Sequence, residues 1–115
     1  MAHYYDFDPQ VESKIREIEF EVQGIKMRLK TDNGVFSKNR VDEGSLAFLK
    51  VLLPLKLTGN ILDLGCGYGT IGLTIAKSDS SVRVTLADIN SRALSLCERN
   101  AKELGISQRV TCLQS

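Results

Sequence analysis

The chain has 115 residues, 43% of them hydrophobic and 25% charged, with a formal net charge of +1. That size suits one modest domain and is short for a doubly wound nucleotide fold, and no run of about 18 apolar residues could span a bilayer. Nor does charge pull on nucleic acid at long range: residues 1–58 hold nine basic and nine acidic side chains, and residues 59–115 hold six and five.

Residues 1–16 are weakly patterned, because His3, Tyr4, Tyr5 and Phe7 follow no period, and they read as a lead-in in which Asp8-Pro9 could cap a short helix. Residues 1–10 are polar and aromatic, without the apolar stretch of a signal peptide. From Glu17 the alternation is strict. Ile18, Phe20 and Val22 share one face with Ile25, Met27 and Leu29, and Gln23-Gly24 lies between the two runs, which predicts a β-hairpin. A two-residue loop pairs Val22 with Ile25, Glu21 with Lys26, Phe20 with Met27, Glu19 with Arg28, Ile18 with Leu29 and Glu17 with Lys30, so every polar pair is of opposite charge. A glycine bulge at Gly24 would shift that register by one residue.

Asp32-Asn33-Gly34 reads as a turn and residues 35–40 as a loop, where Lys38 and Arg40 are the better phosphate candidates. Asp42 can cap a helix reaching about Leu53, with Leu46, Leu49, Val51, Leu52 and Leu53 as a broad apolar side and Pro54 as its stop.

The densest information lies in residues 60–72, Asn-Ile-Leu-Asp-Leu-Gly-Cys-Gly-Tyr-Gly-Thr-Ile-Gly. An apolar run, expected to be a buried strand, breaks into glycines at alternate positions, Gly65, Gly67 and Gly69, and a helix follows to about Ser78. Glycine alone lets the backbone take positive φ repeatedly and lets a ligand lie against main-chain atoms. Residues 82–87 form a second strand closed by Asp88. Asn90 or Ser91 then caps a helix through Leu104 that Gly105 ends, and residues 109–113 open a third strand. Strand, helix, strand, helix, strand with short joints is the right-handed parallel pattern of an α/β sheet.

In such sheets ligands collect beyond the carboxyl ends of the strands, where the glycine loop and Asp88 both lie. Asp88 falls 21 positions after Gly67, near the offset at which an acidic side chain receives paired ribose hydroxyls, so a nucleoside-containing cofactor follows. The plain structural alternative is that Asp88 caps the next helix. Residues 67–72 formally match the Gly-x-Gly-x-x-Gly dinucleotide fingerprint, but Asp63 would meet a pyrophosphate unfavourably and suits an ammonium and a sulfonium. Asp63 could equally be a structural acceptor of loop amide hydrogens. Cys66, Cys97 and Cys112 are odd in number and lack Cys-x-x-Cys spacing, which suggests neither a disulfide framework nor a zinc site and fits a reduced, cytoplasmic setting. Cys66 reads as a small side chain in a glycine turn, not as a nucleophile, and His3 has no metal-ligand companions.

Residues 61–69 closely resemble the first motif of the class I S-adenosylmethionine-dependent methyltransferases, and residues 87–90 resemble their second-strand motif. Within that superfamily the chain is similar to the bacterial family that methylates the exocyclic amine of a guanine in small-subunit ribosomal RNA. The cues are His3-Tyr4-Tyr5, Gly34-Val35-Phe36-Ser37, residues 90–93 and Asn100-Ala101. The resemblance implies a Rossmann-like α/β fold, here ending after about three parallel strands and preceded by the hairpin. Residues 1–58 would be lead-in, hairpin and helix, and residues 59–115 the first part of the cofactor domain. It implies that Asp63 and Gly65 face the methionine portion, that Cys66, Gly67 and Gly69 shape the loop, that Asp88 holds the ribose and that Ile89 packs on adenine. Phe36 would help close the pocket, or serve as a core aromatic anchoring its loop.

The family also places Asn-Pro-Pro after a fourth strand to seat the target amine. This chain has only Pro9 and Pro54, so it is expected to be the front part of a longer enzyme, with no catalytic residue assigned and no methyl transfer on its own. Ribosomal RNA or the small subunit is the expected partner, with no metal and no membrane. A methyltransferase acting on a protein glutamine or another amine, a catalytically silent nucleotide-binding module and, more remotely, an NAD-dependent oxidoreductase remain as alternatives.

Overall fold

A computed structural model describes residues 14–32 and 43–115. Its first element pair is an antiparallel hairpin of β1 (Ile15–Val22) and β2 (Ile25–Asp32). The register is the one the charge pattern predicts, from Val22 opposite Ile25 to Glu17 opposite Lys30, and it extends outward to Ile15 opposite Asp32. Gln23 and Gly24 both have positive φ, 52° and 78°, so the loop is a two-residue turn with the twist that suits a hairpin, and no bulge forms. Ile18, Val22, Met27 and Leu29 are buried on the inner face.

On the outer face Arg28 Nε lies 3.0 Å from Glu19, and Lys30 Nζ donates to Glu17 at 2.6 Å. That hydrogen bond holds the Glu17 carboxyl below the usual carboxylate range. Glu21 and Lys26 face each other without an ion pair among the described residues. Because these contacts are solvent-exposed, Arg28→Glu is expected to cost a few tenths to about 1 kcal/mol in urea unfolding and to leave RNA affinity nearly unchanged. A large loss of RNA binding at unaltered stability would make this face a phosphate-contacting surface instead.

Helix α1 (Glu43–Leu52) is followed by one tighter turn over Leu53–Leu55 that contains Pro54, and Lys56 in the left-handed region closes it. Leu49 is fully buried, and Leu46, Leu52 and Leu53 are partly so, but Val51 is exposed, contrary to the expected broad apolar side. Leu46, Leu49 and Leu52 recur at three-residue steps along one face, and Val51, two positions from Leu49, points elsewhere. Asp42, like the lead-in cues and residues 34–40 with Phe36, Lys38 and Arg40, lies outside the described residues.

The remaining elements are β3 (Gly59–Leu64), α2 (Thr70–Ser78), β4 (Val82–Asp88), α3 (Ser91–Glu103) and β5 (Val110–Gln114). The three strands are parallel in the order β3-β4-β5. The fold is therefore α/β with an antiparallel hairpin and three parallel strands, matching the Rossmann-like expectation. The strand before the glycine loop is open on one face among the described residues, where a buried strand is expected. It is an edge of the described sheet, with Leu62 61% and Leu64 71% exposed. Ile61 and Asp63 alternate to the side that α2 covers, and that face alone is partly buried.

Helix α3 lies against β2 as well as β4 and β5, and side chains of the hairpin and the parallel sheet share one hydrophobic cluster. Arg109 adds a staple that sequence reasoning placed merely at a strand start. Its Nη1 lies 2.8–3.0 Å from the carbonyl oxygens of Ala76, Asp79 and Val82, fastening the end of α2 to the start of β4.

Candidate cofactor site

The carboxyl end of β3 runs directly into the glycine loop. Gly65, Gly67 and Gly69 all have positive φ (74°, 58° and 105°), a conformation that side chains with a Cβ disfavour. The loop is tied to the next strand as well as to itself: Gly65 N and Cys66 N both donate to Ala87 O, at 2.8 and 3.0 Å. Gly69 N returns to Cys66 O and the peptide of Gly69 opens α2.

Asp88, 9% exposed, ends β4 beside this loop. Its Oδ2 accepts from Gly67 N at 2.9 Å and its Oδ1 from Asn90 N at 2.9 Å. The helix cap is Asn90 itself, whose side-chain oxygen accepts from the backbone of Arg92 and Ala93. Asp88 is thus a hinge pin between glycine loop and α3, not the cap. An ionised carboxylate has about four acceptor sites, so two backbone bonds leave roughly two for a ligand's hydroxyls.

Asp63 stands at the inner end of β3, where its Oδ2 accepts from Gly72 N in the first turn of α2 at 2.9 Å. Burial pushes its carboxyl above the ordinary value, and the nearby Asp88 charge adds to this, while the Gly72 hydrogen bond opposes it. Among the described residues no counter-ion faces this carboxyl, and a cation brought within a few ångströms would favour its charged form. Of the residues predicted to bind, the loop brings together Asp63, Gly65, Cys66, Gly67, Gly69 and Asp88, and Ile89 follows half-buried, its carbonyl held by Gln114 Nε2 at 3.0 Å.

Two residues that carry this geometry were not assigned to it from the sequence. Asn100 is fully buried in α3. Its Oδ1 accepts from Lys30 N at 2.7 Å, and its Nδ2 donates to Lys30 O and to Tyr68 O at 3.1 and 3.0 Å, so one amide joins hairpin, helix and glycine loop. The available signal was its position: it shares the apolar stripe of Ala93, Leu96, Cys97 and Ala101, and a polar side chain on such a stripe must find partners inside. Cys97, also fully buried, donates to Gly67 O at 3.0 Å from the other side of the loop.

Comparison with known proteins identifies the family and the fold. Residues 26–114 match the model of the methyltransferase small domain. The uncharacterised protein YbxB of Bacillus subtilis is 37% identical over 105 residues, which is 91% of this chain and 52% of that protein. The ribosomal RNA small subunit methyltransferase C of Colwellia psychrerythraea is 35% identical over 95 residues, covering 83% of this chain and 26% of the relative. Among solved structures, a T. thermophilus 16S rRNA N2-guanine methyltransferase in complex with AdoMet and guanosine superposes over 90% of this chain and 28% of its own, with a TM-score of 0.76 at 23% identity. The chain therefore spans about half the length of one curated relative and about a quarter of the other. The chain belongs to the methyltransferase small domain family.

Proposed function

We propose that this chain builds the cofactor cradle of an enzyme that methylates the exocyclic amine of a guanine in small-subunit ribosomal RNA. The family uses S-adenosylmethionine, and that molecule is cationic at its methionine end and carries a ribose diol at the other. Asp63 meets the first requirement with a carboxylate that has no counter-ion among the described residues, and Asp88 meets the second with lone pairs left over after its two backbone bonds. Gly65, Cys66, Gly67 and Gly69 keep the floor between them low enough for close approach, and Ile89 offers an apolar edge to the adenine. Bound there, S-adenosylmethionine supplies an electrophilic methyl group, so the protein's contribution is positioning. The guanine in ribosomal RNA is drawn from relatives that carry the activity in their names. A cytoplasmic setting follows from that substrate, and no described helix is long and apolar enough to cross a membrane.

The observation that carries the reading is the Asp88 carboxylate, fixed by Gly67 at the mouth of the loop with acceptor capacity to spare. Calorimetry is expected to show S-adenosylhomocysteine binding in preference to NAD, and Asp88→Ala to weaken it at least about tenfold, or 1.4 kcal/mol. Tighter binding of NAD, or an Asp88→Ala variant that folds and binds as the parent does, would reject the assignment.

A further inference from the structure

Sequence spacing gives no reason to pair the cysteines, yet the fold brings two of them together. Cys66 in the glycine loop and Cys97 in α3 are 31 residues apart, and their sulfurs are 3.7 Å apart as free thiols. Both aim at one acceptor: Cys97 Sγ lies 3.0 Å and Cys66 Sγ 3.5 Å from Gly67 O. The same residue donates its N–H to Asp88 Oδ2. One peptide segment therefore separates a dithiol from the carboxylate proposed to hold the ribose.

We propose that Cys66 and Cys97 are a peroxide-sensitive modification site, and that their conversion to a disulfide weakens cofactor binding by the glycine loop. The second half rests on the cofactor reading above. Cys66 is 9% exposed and Cys97 not at all, so a small oxidant reaches Cys66 first. The Cys66 sulfur beside it, then burial, push the Cys97 thiol up, which keeps its proton in place until a partner forms. The Cys66 sulfur attacks one oxygen of hydrogen peroxide, the O–O bond breaks, and the displaced hydroxide takes up the proton that the thiol gives up, so a sulfenic acid and one water result. Cys97 Sγ then attacks the Cys66 sulfur, the S–O bond breaks, and the departing hydroxide leaves as water with the Cys97 proton. Two thiols and one peroxide give one disulfide and two waters, with two electrons passing from sulfur to oxygen.

The structural consequence follows from the atoms lost. A disulfide sulfur carries no proton, so Gly67 O loses both donors at once. The sulfurs must also close from 3.7 Å to about 2.05 Å, which draws the loop toward α3 and away from the Asp88 register. Cys112, on β5 and only partly buried, has its thiol pushed up to about 11 by burial and serves as the internal control.

The purified protein, reduced and then treated with one equivalent of hydrogen peroxide, is digested without reductant and examined by mass spectrometry, and S-adenosylhomocysteine is titrated before oxidation, after it, and after dithiothreitol. We expect a peptide linking Cys66 to Cys97, an affinity at least tenfold weaker in the oxidised form, and recovery on reduction. Cys112→Ser should behave as the parent. In Cys97→Ser, whose hydroxyl can still donate to Gly67 O, the sulfenic acid at Cys66 should be trapped by dimedone and no link should form. Absence of the linked peptide in parent protein with an unchanged circular dichroism spectrum would overturn the site, and a link that leaves affinity within twofold would overturn its effect. Reduced protein that binds no S-adenosylhomocysteine would overturn the cofactor reading and the effect on binding together, while the linked peptide would still report the site by itself.

Discussion

Replacing Asn100 with leucine is expected to remove about 3–5 kcal/mol of folding stability, because it leaves three backbone groups without their partner at about 1–3 kcal/mol each. Those groups are Lys30 N–H, Lys30 C=O and Tyr68 C=O, and the substituted side chain is fully buried, so leucine keeps the branched shape, adds some bulk and loses the hydrogen bonds. Ordinary domains are stable by about 5–15 kcal/mol, which makes this a loss of a large share of the total. Asn100→Asp separates hydrogen bonding from shape. Its carboxylate can still accept from Lys30 N but presents negative charge to two carbonyls, and protonation restores one donor. Urea unfolding should therefore find Asn100→Asp most impaired at neutral pH and partly recovered on acidification, with Asn100→Leu showing no such recovery. A loss below about 1 kcal/mol for leucine would mean that water replaces the amide at little cost.

The second large effect lies at Gly72. A Cβ built there would stand 2.4 Å from Leu86 Cδ2 and 3.0 Å from both Asp63 Oδ2 and Val84 Cγ1. Leu86 and Val84 are buried in the centre of β4 and cannot swing aside, so α2 would have to lift from the sheet. Overpacking of this kind costs about 1–3 kcal/mol for alanine and more for valine, whose two methyls have no space. Lifting α2 also stretches the Gly72 N to Asp63 bond, so cofactor affinity should fall together with melting temperature. Alanine tolerated within about 0.5 kcal/mol, the usual range of neutral surface changes, would show that the helix has slack the contact distances deny.

The hairpin's register was legible because two independent patterns, alternation of apolar side chains and opposition of charges, select the same pairing from Glu17–Lys30 to Val22–Ile25, although the strands run on to Ile15 and to Asp32, which read as part of a turn. The loop was legible because its chemistry is local: Gly65, Gly67 and Gly69 are required by backbone conformation, and Asp63 and Asp88 sit at strand ends. What escaped depends on neighbours distant in sequence. Exposure of Leu62 and Leu64 is decided by what lies beside β3, not by its own composition. Val51 was grouped with its apolar neighbours although helix geometry turns it outward. The roles of Asn100, Cys97 and Arg109 exist only once α3, β2 and the end of α2 have met. Whether Asp88 served a ligand or the helix could not be divided in advance, since its two oxygens divide their bonds between loop and helix start.

Asn100 also fixes an order of events. Its amide occupies the N–H and C=O of Lys30 as a neighbouring strand's peptide would, yet the two residues are 70 positions apart. At about 5–20 residues per second of synthesis, the hairpin waits roughly 4–14 s for the group that closes its edge. A lone two-stranded hairpin is marginal in water, and an unfilled edge invites pairing with a neighbouring nascent chain. Charged side chains blunt such an edge, and Arg28 and Lys30 stand on the very strand that Asn100 later closes.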